Sequence, residues 1–270
     1  MPAIDLARLR KQATRLADFF YVPEEFLKHL HEMLDSYVDR TLRNAEGAAP
    51  GSNLSTYRTP PMILRQIEQE LSAQASEYPS AALDLADLLW DQGYLETRLL
   101  AAFLLGRIPP QEERLLARLT AWTQQVRDPN VRSALLTTSL TRLRTETPDA
   151  FLELIREWSH PARPRTWSNG LQALLPLISA PDFQNLPPVL DAIEPIVAAA
   201  PAAQQLDLED IILALYKISP TETTFFLRQV LSNSENQMTA ITLRRISGNF
   251  PPELLADLRE FLRGSPLQKG

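Results

Sequence analysis

Prolines recur at nearly even intervals from residue 109 towards the end of the chain. They are Pro109, Pro148, Pro181, Pro220 and Pro251, so the steps between them are 39, 33, 39 and 31 residues. Each step has room for two helices and two turns, which is the unit of helix-pair repeat proteins. The spacing therefore predicts an all-α fold, a right-handed α-solenoid of about six helix pairs.

Apolar residues between these prolines follow the helical period. After Asp128-Pro129, for example, Leu135, Leu136 and Leu143 fall on one stripe. The pattern predicts the second helices of successive pairs at Leu95–Ile108, Val131–Arg144, Trp167–Ile178, Leu206–Ile218 and Met238–Ile246. No segment alternates apolar and polar residues, so we expect no β-sheet.

The rest of the chain divides by composition. Residues 1–45 predict an N-terminal helical hairpin, and 46–58 form a small, polar linker that contains Gly and Pro. A HEAT-like repeat array is predicted over 59–264, followed by a flexible tail at 265–270. Because the open end of a solenoid exposes apolar surface, we expect the hairpin to cap the first repeat.

Composition removes several classes of function. The chain has no cysteine and only 8 glycines, and it contains no P-loop, G-x-G-x-x-G or G-x-S-x-G motif. His31 and Glu32 begin a near match to a zinc-binding helix, but Asp35 replaces the second histidine, and His29 diverges from His31 on a helix. We expect a cytoplasmic monomer with no membrane span, no metal and no cofactor.

Charge is distributed unevenly along the chain, whose formal net charge is -6. Residues 60–113 and 166–224 each carry a net charge of -6, whereas 114–165 carries +4. The nine arginines of this central block are 114, 118, 127, 132, 142, 144, 156, 163 and 165. They could be solvated faces and inter-repeat ion pairs, or they could form a stripe that binds phosphates.

Four segments in the first half resemble one family when taken in order. They are Tyr57–Pro60, Ile63–Ile67, Ala82–Trp90 and Glu96–Ala102. Their order and spacing resemble the HEAT-like DNA alkylation repair family, in which a G-hydrophobic-x-x-P start, a Leu-Trp pair and an arginine before an Ala-rich helix follow one another. The resemblance is clearest over residues 57–108, and the leading glycine of the family pattern is absent here.

The resemblance implies binding of duplex DNA in a concave groove and excision of alkylated, cationic purines. Family members use tryptophans on the DNA backbone and an aspartate about four residues after a tryptophan. Here Asp128 follows Trp122 by six positions and precedes Pro129, which predicts that its carboxylate caps a helix. The family's tryptophan with a following basic pair reads Trp167-Ser168-Asn169-Gly170. Asp128 is thus only a weak catalytic candidate.

We therefore expect a DNA-binding member of this family with little or no catalysis. The predicted contacts to the DNA backbone are Tyr57, Arg58, Arg98, Arg132, Arg163, Arg165 and Trp167. The alternative is a protein–protein interaction scaffold whose groove binds a peptide or a partner protein, which suits the acidic flanks of the array.

Overall fold

The computed structural model describes residues 5–38, 51–199, 201–233 and 237–262. The chain divides into two compact units, Met1–Pro148 and Asp149–Gly270. Part of the predicted linker, 46–50, and the predicted tail, 265–270, lie outside the described residues. Within the described ranges no helix has the length and apolar character that crossing a membrane requires.

The first unit contains eight helices in its described part. They are α1 (Leu6–Ala17), α2 (Pro23–Ser36), α3 (Pro61–Glu77), α4 (Pro79–Trp90), α5 (Leu95–Leu105), α6 (Glu113–Gln125), α7 (Pro129–Thr137) and α8 (Thr141–Glu146). The N-terminal pair packs on the helices that follow the linker, since α1 contacts α3 and α2 contacts α4.

The second unit is also helical in its described part. Its helices are α9 (Pro148–Ser159, beginning at the boundary), α10 (Trp167–Ile178), α11 (Pro187–Ala199), α12 (Gln205–Ile218), α13 (Pro220–Asn233), α14 (Gln237–Ile246) and α15 (Pro252–Leu262). Helix α12 packs against α10 and α13, and α13 packs against α15.

The described chain is all-helical, as the proline spacing predicts. Its sole departure in the described residues is an isolated bridge between Ser55 and Tyr94, and no strand forms there. Many helices begin with proline, where the missing N–H has no intrahelical partner to lose. Pro148 and Pro220 start α9 and α13, whereas Pro181 lies in a turn before α11.

Four of the five predicted helices form, although α5 ends at Leu105 and not at Ile108. Helix α10 has the predicted bounds, and α12 and α14 each begin one residue early. The predicted helix Val131–Arg144 is wrong, because the chain breaks between Thr137 and Thr141. At the break the Ser139 hydroxyl donates to the carbonyl of Ala102 at 2.7 Å, which takes the chain out of the regular helical path.

Helix α5 lies at the centre of the first unit and contacts α3, α4 and α7. Leu95, Leu100 and Leu104 are among its many buried residues, which lie all around the helix. A helix that is apolar all round belongs in a core. Its one buried charge, Glu96, is therefore the exception that requires a reason.

Candidate nucleic-acid interface

The described part of the predicted linker, 51–58, is bound to the ends of two helices. The Leu95 amide at the start of α5 donates to the Ser55 carbonyl at 2.8 Å. At the start of α7, Asp128 accepts from the Ser52 hydroxyl at 2.6 Å and from the Asn53 amide at 3.0 Å. These bonds hold the segment that carries Tyr57 and Arg58 against the helical core.

Arg58 adopts a left-handed backbone conformation, with φ of 56°. This conformation costs an L-residue other than glycine about 1–2 kcal/mol. Three hydrogen bonds hold it: the Thr56 hydroxyl donates to Glu96 Oε1 at 2.7 Å, and the Arg58 amide donates to Thr56 Oγ1 at 3.0 Å and to Glu96 Oε1 at 3.1 Å. The carboxylate of Glu96 thus holds the strained backbone of Arg58 in place.

Glu96 is a residue of this candidate site that the sequence analysis did not select. It lies in the first turn of α5 and is 5% exposed. Its second oxygen, Oε2, is buried and has no hydrogen-bond partner in the part of the chain that the structure describes. A buried carboxylate that is only half satisfied is costly, so such a group needs an explanation. The available signal was an acid at the start of a helix in which most other residues are apolar.

Tyr57 belongs to a cluster of three rings. It stacks on Tyr94 with ring centroids 4.5 Å apart, and His31 of α2 lies 5.7 Å from both rings. The Tyr57 hydroxyl forms a hydrogen bond with Nδ1 of His31. The cluster therefore ties the N-terminal hairpin to the segment before α3.

The cluster shifts the pKa values of two of its members. Burial, reinforced by Tyr94 and by the carboxylates of Asp35 and Glu96, raises the pKa of Tyr57 to about 12. Burial lowers the pKa of His31. His31 is therefore neutral at pH 7, and its Nδ1 can accept the proton that the Tyr57 hydroxyl donates.

Arg98 stacks on an aromatic pair. Its guanidinium lies 5.0 Å from the centroid of Trp90, and its Nε donates to the Trp90 carbonyl at 3.1 Å. Trp90 in turn stacks on Trp122, with centroids 4.2 Å apart and planes 3° from parallel. Both tryptophans are buried, so this stacked pair belongs to the core. Arg98 is half-buried.

The predicted contact residues fall into separate groups. Tyr57, Arg58 and Arg98 lie together around the start of α5, and Arg132 lies on α7 of the same unit. The second unit contains the other three. Arg163 pairs with Glu157, Arg165 is exposed in a 3-10 turn, and Trp167 is buried with its Nε1 donating to the His160 carbonyl at 3.0 Å.

Asp128 caps α7, as its position before Pro129 predicts. Oδ1 accepts from the amides of Asn130 and Val131 at 3.0 and 3.1 Å, while Oδ2 accepts from Ser52 and Asn53. Burial raises the pKa of this carboxyl, but these four hydrogen bonds outweigh burial and bring the pKa below its ordinary value. Both oxygens are committed to holding the backbone.

Gly170 is closely packed, so a side chain at this position would have to displace its neighbours. A Cβ at this position would lie 3.0 Å from Ser159 Oγ and 3.7 Å from Trp158 Cβ. The neighbouring Asn169 is buried. The start of α10 is therefore built as core in this chain, and no basic pair projects from it towards a phosphate.

Several arginines of the central block, 114–165, form ion pairs with nearby acids. Arg118 makes two bonds to Asp87, at 2.7 and 2.8 Å, and Arg114 bonds to Asp84 at 3.3 Å. Asp84 and Asp87 lie on α4, in the acidic block 60–113, and the two arginines lie on α6, so these pairs join α6 to α4. Three further ion pairs are Arg142 with Glu146, Arg156 with Glu153, and Arg163 with Glu157. The block of positive charge is thus partly compensated.

The histidines considered as zinc ligands make other bonds. His31 bonds to Tyr57, and His29 Nδ1 lies 2.8 Å from the Glu25 carbonyl oxygen. Among the described residues no group of three or more His, Cys, Asp or Glu side chains could hold a metal ion.

Comparison with known proteins gives one match. The profile of the family described as DNA alkylation repair enzyme matches residues 58–245, which is more than half of the chain. No curated protein and no solved structure matches the chain significantly. The matched region starts at Arg58, inside the segment held by Glu96.

Proposed function

The chain belongs to the DNA alkylation repair enzyme family, and we propose that it binds duplex DNA through the phosphate backbone without excising bases. The proposal keeps duplex DNA, the partner that the family resemblance implies, and leaves out base excision, because Asp128 is engaged in other bonds. It also includes the predicted stacking of the helix pairs as a right-handed solenoid, because an extended inner surface suits a duplex.

The proposal rests on one observation: both carboxylate oxygens of Asp128 already accept hydrogen bonds from the protein. Stabilising a sugar cation requires a carboxylate oxygen that faces the reacting centre. In this chain four donors from Ser52, Asn53, Asn130 and Val131 surround the two oxygens of Asp128. Gly170 adds a second reason, since it has no side chain to clamp a phosphate and its surroundings are closely packed.

Two groups of residues support contact with DNA. The first is the Tyr57–Arg58 pair, whose backbone is held rigid and whose arginine can meet a phosphate. The second contains Arg165, which is exposed in the turn before α10. Arginine is suited to phosphate oxygens because its planar guanidinium donates several hydrogen bonds at once.

Binding is tested by retardation of a labelled duplex over a salt series. We expect retardation at low salt that weakens as salt increases, with similar affinity for plain duplex and for duplex containing an abasic or 7-methylguanine site. Arg259→Glu is the matched control for Arg58→Glu, because Arg259 is exposed on α15 outside the matched region and the change in charge is equal. Absence of retardation at low salt contradicts the proposal.

Excision is tested separately on methylated DNA. We expect no release of 3-methyladenine or 7-methylguanine above the spontaneous rate, for wild type and for Asp128→Asn alike. Release by the wild type that Asp128→Asn abolishes would show that Asp128 acts in catalysis, and it would overturn the non-catalytic part of the proposal.

A second candidate function is a protein scaffold. Leu206 and Phe225, in the second unit, are 78% and 68% exposed, and a partner protein would bury such apolar side chains. The ion pairs of the central arginines also reduce the charge available to DNA. A stoichiometric protein partner, together with no retardation of duplex, would favour this function.

A further inference from the structure

We propose that Glu96 is a positioning residue that sets the backbone of Tyr57 and Arg58 for contact with the DNA phosphates. This inference rests on the proposed binding of duplex DNA and names a determinant of it. Glu96 makes no contact with DNA in this proposal, and it acts through the hydrogen bonds it accepts from the segment before α3.

The geometry assigns one oxygen of Glu96 to this task. Oε1 accepts from the Thr56 hydroxyl and from the Arg58 amide, and the same hydroxyl oxygen accepts from the Arg58 amide. The three bonds form a closed triangle around a residue with φ of 56°. A strained backbone conformation persists only where its surroundings over-determine it, and it is commonly found at functional sites.

Ordinary helix stability does not explain a glutamate here. An acid in the first turn of a helix interacts favourably with the helix dipole at the surface or when partly buried, so this interaction does not require nearly complete burial. Glu96 is instead 5% exposed, and its Oε2 is buried without a partner in the described residues. Capping does not require it either, because the N-cap of α5 is Tyr94 and not Glu96. The carboxylate is better explained by its reach across to Arg58.

The residues before Glu96 also contact the segment that carries Arg58. Tyr94 precedes α5 and stacks on Tyr57, and the Leu95 amide bonds to the Ser55 carbonyl. Tyr94 and Leu95 are the two residues before Glu96, so the turn that carries Glu96 also fixes Tyr57 and Ser55 just before Arg58. Preorganisation of this kind reduces the entropy lost when a ligand is bound.

The test measures duplex affinity and its salt dependence for Glu96→Ala, Glu96→Gln and Thr56→Val in the full chain. We expect Glu96→Ala to reduce the affinity about tenfold or more and to lower the log–log salt slope by about 0.9, the value of one phosphate contact. Glu96→Gln retains a carbonyl oxygen for Thr56 and Arg58, and it should restore most of the slope. Thr56→Val, which has the same shape but no hydroxyl, should lie between them.

Leu100→Ala is the matched control for loss of stability. Leu100 is also buried on α5 and makes none of these bonds. Leu100→Ala should therefore lower the free energy of unfolding and leave the salt slope unchanged. Amide hydrogen exchange over residues 54–59 supplies a readout that is independent of DNA. Exchange there should accelerate in Glu96→Ala and stay slow in Leu100→Ala.

The outcomes separate this inference from the proposed function. Absence of duplex binding by the wild type overturns the proposed function. Wild-type binding with an unchanged slope in Glu96→Ala, or a change equal to that of Leu100→Ala, overturns the role of Glu96 alone. Unchanged hydrogen exchange over 54–59 in Glu96→Ala overturns it as well.

Discussion

At the scale of single residues, two buried carboxylates organise the candidate interface. Asp128 and Glu96 each reach from the start of a helix to the segment that precedes α3, and together they fix it at Ser52, Asn53 and Arg58. A buried carboxylate is stable when its oxygens accept several hydrogen bonds, which is the situation of Asp128. These acids therefore determine where the neighbouring tyrosine and arginine are presented.

The double use of Asp128 predicts a large effect on stability. Asp128→Ala removes a helix cap and leaves the Ser52 hydroxyl and the Asn53 amide without their acceptor, so it should cost about 2–4 kcal/mol in urea unfolding. Asp5 offers the matched control, because it caps α1 through Ala7 and Arg8 and is exposed. Asp5→Ala should cost about 1 kcal/mol. Equal costs would show that the bonds to 52 and 53 contribute nothing.

The same residue predicts a dependence on pH. Since the folded pKa of Asp128 lies below its ordinary value of 3.8, its stabilising contribution is present above that value and is lost as the pH falls through the lower, folded pKa. The difference in unfolding free energy between wild type and Asp128→Ala should therefore shrink below about pH 3.8 and stay constant above it.

His31 predicts a second dependence, nearer to neutrality. Burial lowers its pKa, so its neutral form is favoured in the folded chain, and protonation would remove the acceptor for Tyr57. The contribution is therefore present above the ordinary value of 6.5 and is lost as the pH falls below it. In an NMR titration the His31 ring should protonate below pH 6.5, with a coupled shift of the Tyr57 ring. Protonation at or above 6.5 would contradict the buried hydrogen bond.

At the scale of helices, a close approach between α5 and the turn after α7 explains the element that the sequence analysis got wrong. A Cβ on Gly106 would lie 2.2 Å from the Thr138 carbonyl oxygen. The chain leaves its helix at this point, where the Ser139 hydroxyl bonds to Ala102. Apolar spacing alone cannot reveal such a break, because it depends on a residue more than thirty positions earlier.

That approach predicts the effect of adding a single methyl group. Gly106→Ala should destabilise the chain by about 3 kcal/mol, because the obstructing atom belongs to the backbone and cannot rotate away. Gly93→Ala is the control, since nothing lies within 4 Å of its Cβ position and its backbone is not left-handed. Its effect should remain within about 1 kcal/mol of wild type in thermal or urea unfolding. Similar effects of the two variants would contradict the packing of Gly106 on Thr138.

The apolar stripe of α7 supplies a further prediction at this scale. Leu135 is buried, so Leu135→Ala should cost about 2–5 kcal/mol in urea unfolding. Leu116 on α6 is 39% exposed, and Leu116→Ala should cost less than about 1 kcal/mol. A cost below about 1 kcal/mol for Leu135→Ala would mean that the stripe faces water.

Sequence patterns predicted the helices better than they predicted the site. The bounds of α10 follow from a proline-containing turn and a strong apolar period, both of which are local signals. The role of Asp128 as a cap was also local, since Pro129 follows it directly. Its bonds to Ser52 and Asn53, and those of Glu96 to Thr56 and Arg58, join residues about forty to seventy-five positions apart. A single sequence carries no direct signal of such pairs.

At the scale of the whole molecule, the alternation of acidic and basic blocks is partly a matter of internal pairing. Arg114 and Arg118 are matched by Asp84 and Asp87, so a net charge of +4 over 114–165 overstates the charge that a ligand would meet. Exposed ion pairs of this kind contribute little to stability, but they lower the local potential. Arginines without such a partner should therefore dominate binding to a polyanion.

This reasoning predicts unequal effects from equal changes of charge. Arg165→Glu, at an exposed position, should weaken duplex binding for every sequence and lower the log–log salt slope by about 0.9. Arg163→Glu should have a smaller effect, because Arg163 already pairs with Glu157. Arg259→Glu on α15 changes the net charge by the same amount and should leave the slope unchanged.

The comparison is most informative at low salt, where attraction between charges is least screened. If Arg259→Glu weakens binding as much as Arg165→Glu, then net charge alone governs the affinity and the predicted contacts have no specific role. If Arg165→Glu lowers the slope while preference among sequences stays constant, then phosphates are the groups recognised, because contacts to phosphates position a protein on DNA without reading its sequence.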